Sequence, residues 1–171
     1  RLLLQAGLPI VRHETVRRAE WEKNKEAVLS RCAALGFPCF IKPANLGSSV
    51  GIRRVKEASS LADAIDYAFS FDTKIIAEQG IEAPREIECA VLGDEEPIAS
   101  IPGEIVVDHP DGFYSYAAKY IDENGATIRI PAELSEEQKE RVRELSVLTF
   151  QTLEASGLAR IDFFLAHDGQ L

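Results

Sequence analysis

The chain has 171 residues and no methionine, with only three histidines and three cysteines. Without methionine it has no natural start. It opens inside what reads as a helix over 1–6 and closes on the turn Asp168-Gly169, so it is expected to be a piece of a longer protein. His13, His109 and His167 show no ligand spacing and read as surface residues. Cys32, Cys39 and Cys89 are odd in number and widely spaced, which argues against a disulfide framework. They fit reduced core thiols of a cytoplasmic protein. No apolar run approaches the ~20 residues of a membrane span, and Arg1-Leu2-Leu3-Leu4 is too short for a secretory signal. Basic charge is scarce: 19 Lys and Arg face 28 Asp and Glu, for a net charge of −9. That opposes broad nucleic-acid binding, which needs a basic face, but leaves room for a local basic pocket. There are no internal repeats, no G-x-x-x-x-G-K-[ST] loop and no G-x-G-x-x-G fingerprint.

What is present is the profile of a globular protein, 46% hydrophobic and 27% charged. Trp21, Val28, Cys32 and Leu35 recur on one face of a helix expected over 20–35, stopped by Gly36. Two strands, 37–42 and 50–55, flank a glycine loop. Ser60 with Asp63 resembles a capping box opening a helix to about Phe71, with Leu61, Ile65 and Ala68 on its inner face. A buried strand follows over 74–78, and Gly80-Ile81-Glu82-Ala83-Pro84 reads as a hinge between two halves. Beyond it, 86–91 alternates as a strand, 93–97 turns, and 98–106 returns. Residues 107–120 form a long polar and aromatic loop, the kind that serves as a lid or binding loop. Ser135 with Gln138 is a capping box for a helix to about Ser156, with Val142, Leu145, Thr149 and Leu153 inward. Strand 158–166 places Arg160 and Asp162 on one face. Hairpins with helices laid on them predict an α+β fold rather than a doubly wound parallel sheet.

The most informative segment is Phe37-Pro38-Cys39-Phe40-Ile41-Lys42-Pro43-Ala44-Asn45-Leu46-Gly47-Ser48-Ser49-Val50-Gly51-Ile52. An apolar strand ends on a lysine, and a small glycine-serine loop, 45–51, follows. One fixed cation beside backbone N–H groups is the kind of site that polyphosphates bind; the alternatives are a lysine at a strand end reaching solvent and an ordinary hairpin turn. Glu78 and Glu86 are either solvated carboxylates or acceptors for sugar hydroxyls, with adenine edges read by nearby backbone. Tyr114, Lys119 and Tyr120 either pin the long loop or close it over phosphates. Arg160 and Asp162, opposite charges on alternate residues of an apolar strand, are a structural pair or part of a site. Asp162 would suit Mg²⁺, which takes one or two carboxylates plus phosphate oxygens.

Five ordered stretches, 37–52, Glu78-Gln79-Gly80-Ile81, 85–93, 113–120 and 157–165, resemble the ATP-grasp part of D-alanine–D-alanine ligases. The resemblance implies two α/β subdomains with mostly antiparallel sheets gripping ATP between them, with boundaries near 1–80 and 81–171 and lid loop 107–120 in the second. It implies ATP-dependent joining of two D-alanines through an acyl phosphate, for peptidoglycan, in a cytoplasmic homodimer using ATP and Mg²⁺ (or Mn²⁺), with no nucleic acid or membrane partner. It places Lys42 on the ATP phosphates and Ser49 in the loop that covers them. Glu78, Gln79 and Ile81 go to the nucleotide site, Glu78 near the adenine, and Glu86 to the ribose. Tyr114 and Lys119 fall on the lid, Lys119 over the phosphates. Ser48 and Tyr120 close the D-alanine side, Arg160 stabilises the oxyanion, and Asp162 is the first magnesium carboxylate. The family pattern differs at Ala83-Pro84, a one-residue insertion that loosens the Glu86 match, and at Ala117, where glutamate is usual. A Glu-x-Asn pair of metal ligands is expected after Leu171, and a first ATP lysine with an amino-terminal domain before Arg1. The isolated piece is therefore expected to be inactive. Two other functions fit the residues: another ATP-grasp carboxylate–amine ligase, or a non-catalytic nucleotide-binding module.

Overall fold

Period-two alternation of apolar and polar residues shapes both sheets, because successive strand side chains point to opposite faces. A computed structural model of the chain describes residues 2–108, 113, 115, 116, 121, 122 and 125–171. Tyr114, Lys119 and Tyr120 lie outside the described residues. The described residues of Arg1–Ile10, Ala83–Asp108 and Ala126–Leu171 form one compact unit, and those of Val11–Glu82 and His109–Gly125 another.

In the Val11–Glu82 unit, β1 (His13–Arg17), β4 (Lys74–Gln79), β2 (Cys39–Pro43) and β3 (Arg53–Val55) lie in that spatial order. All three pairings are antiparallel. One face carries Val16, Ile75, Ala77, Cys39, Ile41 and Val55, all buried. It is covered by α2 (Arg18–Lys23), α3 (Lys25–Ala33) and α4 (Leu61–Phe69), whose Trp21, Val28, Cys32, Leu61, Ile65, Ala68 and Phe69 complete the core. Each large apolar side chain so buried contributes about 1.5–3 kcal/mol. The Trp21 indole N–H donates to Asp66 Oδ1 at 2.6 Å, so its polar end is not orphaned.

The expected helix over 20–35 is two helices. Asn24 breaks it at φ −154°, ψ 80°, and its side chain accepts from the Ala27 N–H at 3.1 Å, capping α3. An asparagine that bonds backbone locally competes with the helix it interrupts. The Ser60 capping box is also absent. Ser60 Oγ donates back to the Glu57 carbonyl at 3.2 Å, within a 3₁₀ turn over Ala58–Ser60. Strand β1 was not anticipated. Gly80, at the start of the expected hinge, approaches the backbone closely: its N–H donates to the Pro38 carbonyl at 2.9 Å, and a Cβ there would meet that oxygen at 2.5 Å.

The other unit is built on β5 (Arg85–Gly93). β9 (Gly157–Leu165) pairs antiparallel along its whole length, from Arg85↔Leu165 to Gly93↔Gly157. Its second edge is shared by β6 (Ile98–Ala99) at one end and β7 (Gly103–Val107) at the other, with β8 (Ala126–Arg129) outside β7. The return expected as one strand over 98–106 is thus two. Around the break, Ser100 N–H bonds the Ala90 carbonyl, and the Pro102 carbonyl accepts from Ala132 instead of from a sheet partner. Ile87, Cys89, Val91 and Leu165 face α5 (Glu136–Thr152), which presents Val142 and Phe150 to the same core. The helix opens with the expected capping box, Ser135 Oγ accepting from Gln138 N–H and the Gln138 side chain accepting from Ser135 N–H. Its inner face is Val142, Leu145, Ser146 and Phe150. Leu153, expected inward, is half exposed beyond the helix end. α1 (Leu2–Gln5) lies against α5. At the base of β5, Arg85 makes a two-pronged bond to Glu104, 2.7 Å on each side, and donates to the Glu133 carbonyl at 2.8 Å. No helix among the described residues is long and apolar enough to cross a membrane.

Candidate active-site residues

On the Val11–Glu82 unit the face opposite the helices carries the charges. Register sets Arg54, Phe40, Glu78 and His13 in one row across β3, β2, β4 and β1, and Lys42 beside Ile76 in the next. Lys42 stands on this face because Ile41 and Pro43, its neighbours on β2, are buried on the other. Its ammonium bonds the Glu78 carboxylate, with the two side chains 29% and 24% exposed. The Lys42 Nζ also lies 5.8 Å from the centre of the Phe40 ring, which meets Phe113 edge-on at 5.4 Å. The Arg54 Nε is buried with no hydrogen-bond partner among the described residues. Gln79, one residue past Glu78, turns to the opposite face, where Arg12 Nε donates to its Oε1 at 3.0 Å. Gln79 therefore meets the Lys42 face with backbone rather than side chain. Ile81 is half-buried just past β4.

Loop 45–51 is held at both ends. Asn45 donates through its backbone N–H, at 2.9 Å, and its side chain to the Asp72 carboxylate, which also accepts from Thr73 and Lys74 N–H. Partial desolvation raises the Asp72 pKa, but the bonds from Asn45, Lys74 and Thr73 outweigh it and hold the carboxyl below its ordinary value. Ser48 and Ser49 both adopt left-handed backbone, at φ 56° and 59°. Serine is uncommon there; the pair makes a tight turn, closed by Val50 N–H donating to the Gly47 carbonyl at 3.1 Å, and the successive N–H groups of a turn can form a concavity for an anion. Gly51 is required by its own φ of 73° and by crowding: a Cβ would lie 2.7 Å from Pro43 Cγ and 2.9 Å from Phe71.

On the β5 unit, the face away from α5 carries Glu86, Glu88 and Ala90 of β5 opposite Phe164, Asp162 and Arg160 of β9. Arg160 and Asp162 are brought together as a fork. Nε donates to Oδ1 at 2.7 Å and a terminal nitrogen to Oδ2 at 3.0 Å. The other terminal nitrogen lies 3.2 Å from Glu88 Oε2. Glu86 is on this face, half-buried, two residues from Glu88. Glu88 was missed by sequence reasoning, although strict alternation along 86–91 puts it on the face of Glu86. Asp162 is an exposed carboxylate, the hard oxygen donor that magnesium takes. Among the described residues no group of three potential metal ligands gathers, so the donor set here fits an ion completed by other oxygens.

A family model described as D-ala D-ala ligase C-terminus matches residues 2–171. The chain belongs to the D-alanine–D-alanine ligase family. It is 49% identical over 170 residues to the D-alanine–D-alanine ligase of Geobacillus thermodenitrificans, covering 98% of this chain and 45% of that protein. It is 46% identical over 171 residues to D-alanine–D-alanine ligase A of Escherichia coli K12, covering 100% and 46%. Among solved structures, the VanG D-Ala:D-Ser ligase of Enterococcus faecalis superposes with a TM-score of 0.84 at 35% identity, over 99% of this chain and 47% of that one. This ligase-family chain thus spans a little under half the length of these relatives. The expected α+β, ATP-grasp fold class is met: its sheets are antiparallel, and its structural relatives are ligases of that fold.

Proposed function

We propose that the full-length protein carrying this chain joins two D-alanines at the expense of ATP, and that this chain supplies most of the nucleotide site and part of the catalytic machinery. The observation that carries this reading is the family match from residue 2 to residue 171. The division of labour between subdomains near 1–80 and 81–171 belongs to the same proposal. So do residence in the cytoplasm, a homodimeric parent and the absence of nucleic-acid or membrane partners.

In this reading Lys42 leaves Glu78 to contact ATP phosphate oxygens, with the Ser49 segment of the glycine loop above them. Glu78 and the Gln79 and Ile81 backbone line the adenine, and Glu86 accepts from the ribose. The γ-phosphoryl group passes to the carboxylate oxygen of one D-alanine, giving an acyl phosphate and ADP. The neutral amine of the second D-alanine then attacks the acyl carbon. Arg160 donates to the oxyanion that forms, where a fixed cation has most effect. The tetrahedral species collapses, the C–O bond to phosphate breaks, and the amine loses its proton. Ser48 and Tyr120 orient the D-alanine side, and Tyr114 and Lys119 belong to the lid that excludes water. Asp162 would hold Mg²⁺ (or Mn²⁺), which when bound neutralises charge on the transferred group.

The test is phosphate release and dipeptide formation by the full-length protein with ATP and single amino acids. D-alanine should drive both, and mass spectrometry should find D-alanyl-D-alanine. Phosphate release driven by a different carboxylic acid would indicate another ligase of this fold. Binding of ATP by calorimetry with no phosphate release from any amino acid would leave a non-catalytic nucleotide-binding module.

A further inference from the structure

Glu88 and Asp162 face each other directly across β5 and β9. Like charges at that position repel, and a cation is needed between them. Arg160 is that cation, held on one side by the Asp162 fork and on the other by Glu88 at 3.2 Å. The two carboxylates are not equivalent. The Asp162 side chain is 60% exposed and Glu88 only 14%. Glu88 Oε2 is buried and accepts no hydrogen bond among the described residues, since the Arg160 contact has the distance of an ion pair without hydrogen-bond alignment. Its negative charge therefore depends on Arg160 for compensation. Gly103, across the other edge of β5, leaves room for the Glu88 side chain: a Cβ there would touch its Cγ and Oε1 at 3.5 Å.

We infer that Glu88 is the positioning residue for Arg160: a buried carboxylate that keeps the guanidinium aimed while Asp162 is engaged elsewhere. The inference rests on the ligase reading, in which Asp162 turns toward a metal and its fork to Arg160 weakens. Glu88, further from solvent, is then the carboxylate that still holds the arginine. A free arginine samples many rotamers, and misplacement by about 1 Å can cost 10²-fold in rate. The residue acts through Arg160 and needs no contact with substrate.

The test uses the full-length protein with Glu88→Gln, Glu88→Asp, Arg160→Lys and the double variant Glu88→Gln/Arg160→Lys. With D-alanine and ATP, Glu88→Gln should lower kcat by at least 10-fold while leaving the KM for ATP within twofold. Glu88→Asp should recover a substantial part of the loss. Adding Glu88→Gln to Arg160→Lys should lower kcat by less than threefold, because the residue it serves is already gone. A second readout needs no turnover: the signal of the Arg160 Nη1 hydrogens, on the nitrogen that faces Glu88, should exchange with solvent at least 10-fold faster in nuclear magnetic resonance of Glu88→Gln than of wild type. A kcat within twofold of wild type, a loss that appears as KM for ATP, or the same 10-fold drop in the Arg160→Lys background would overturn the assignment. Unchanged Nη1–H exchange would overturn it as well. If wild type fails to ligate D-alanine, the ligase reading fails on its own, and the exchange measurement still decides whether Glu88 holds Arg160.

Discussion

Replacing Lys42 by alanine should weaken ATP binding through two effects that the Glu78 contact lets one separate. The first is loss of a charge-assisted bond to phosphate, about 1.5–3 kcal/mol. The second comes from Glu78, which Lys42 neutralises in the nucleotide-free chain. Without the lysine, a partly buried carboxylate faces the phosphate tail. Two unit charges about 6 Å apart in a medium of effective dielectric 20 repel by about 3 kcal/mol, and partial exposure of both groups reduces this to roughly half. Together they predict a dissociation constant raised about 150- to 1,600-fold in Lys42→Ala, since each 1.4 kcal/mol is tenfold. Glu78→Gln alone should stay within about 10-fold of wild type, because freeing Lys42 offsets the lost adenine contact. The double variant is the decisive one. With the repelling carboxylate gone, it should bind at least fivefold more tightly than Lys42→Ala. The assay is calorimetry on the full-length protein with Mg²⁺ and a non-hydrolysable ATP analogue at about 0.15 M salt, where residual screening is physiological. A double variant as weak as Lys42→Ala, or weaker, refutes the idea that Glu78 opposes phosphate when unpaired. A Lys42→Ala protein within threefold of wild type refutes the phosphate site itself.

Three other outcomes follow from the packing. Gly51→Ala should destabilise its unit by about 2–4 kcal/mol, from left-handed backbone and overlap with Pro43 and Phe71, read as a lower midpoint in urea; an unchanged midpoint would contradict this. The Arg85 bonds hold the Glu104 carboxyl below its ordinary value of 4.5. A lowered folded-state pKa adds stability that is complete above the unfolded value and lost as pH falls through the folded one. Glu104→Gln should thus lower stability at pH 7 by about 2 kcal/mol after allowing for the partial exposure of Arg85, read as a lower melting temperature, and the gap to wild type should close as pH falls below 4.5 and through the lowered folded-state value; a gap that widened toward acid would reverse the sign. Burial pushes the Cys32 thiol up to about 11 and raises Cys39 as well. Neither should react with a thiol reagent at pH 8 until denaturant is added, and rapid labelling of the native protein would count against that packing.

Much of the fold was legible because apolar period and capping chemistry are local. The Ser135–Gln138 box and the alternation of 86–91 and 158–165 lead directly to α5, β5 and β9. The misreadings have local causes too. Asn24 sits inside a helical apolar pattern, and the pattern conceals that its side chain prefers to cap the next helix. The 98–106 run looks continuous because Ile98, Ala99, Ile101 and Ile105 are apolar, yet Pro102 has no N–H to give a ladder. Strand β1 is held mainly by its pairing with β4, a contact some sixty residues away that no short window reveals. Among the candidate residues, Lys42 on one unit and Arg160 and Asp162 on the other announce themselves as charges inside apolar strands. Glu88 and Arg54 do not, because each lies among other charged residues and only the register shows what it faces.

Every charge singled out on the strands is one peptide unit from a packed side chain: Lys42 from Ile41, Glu78 from Ala77, Glu88 from Ile87 and Cys89. Deleting a single residue within β2, β4 or β5 would invert the downstream side chains, driving lysine or glutamate into the oily interior and turning isoleucine outward. Such segments can drift in composition while their length stays frozen. Gains and losses of residues through descent or engineering should therefore gather in the connections.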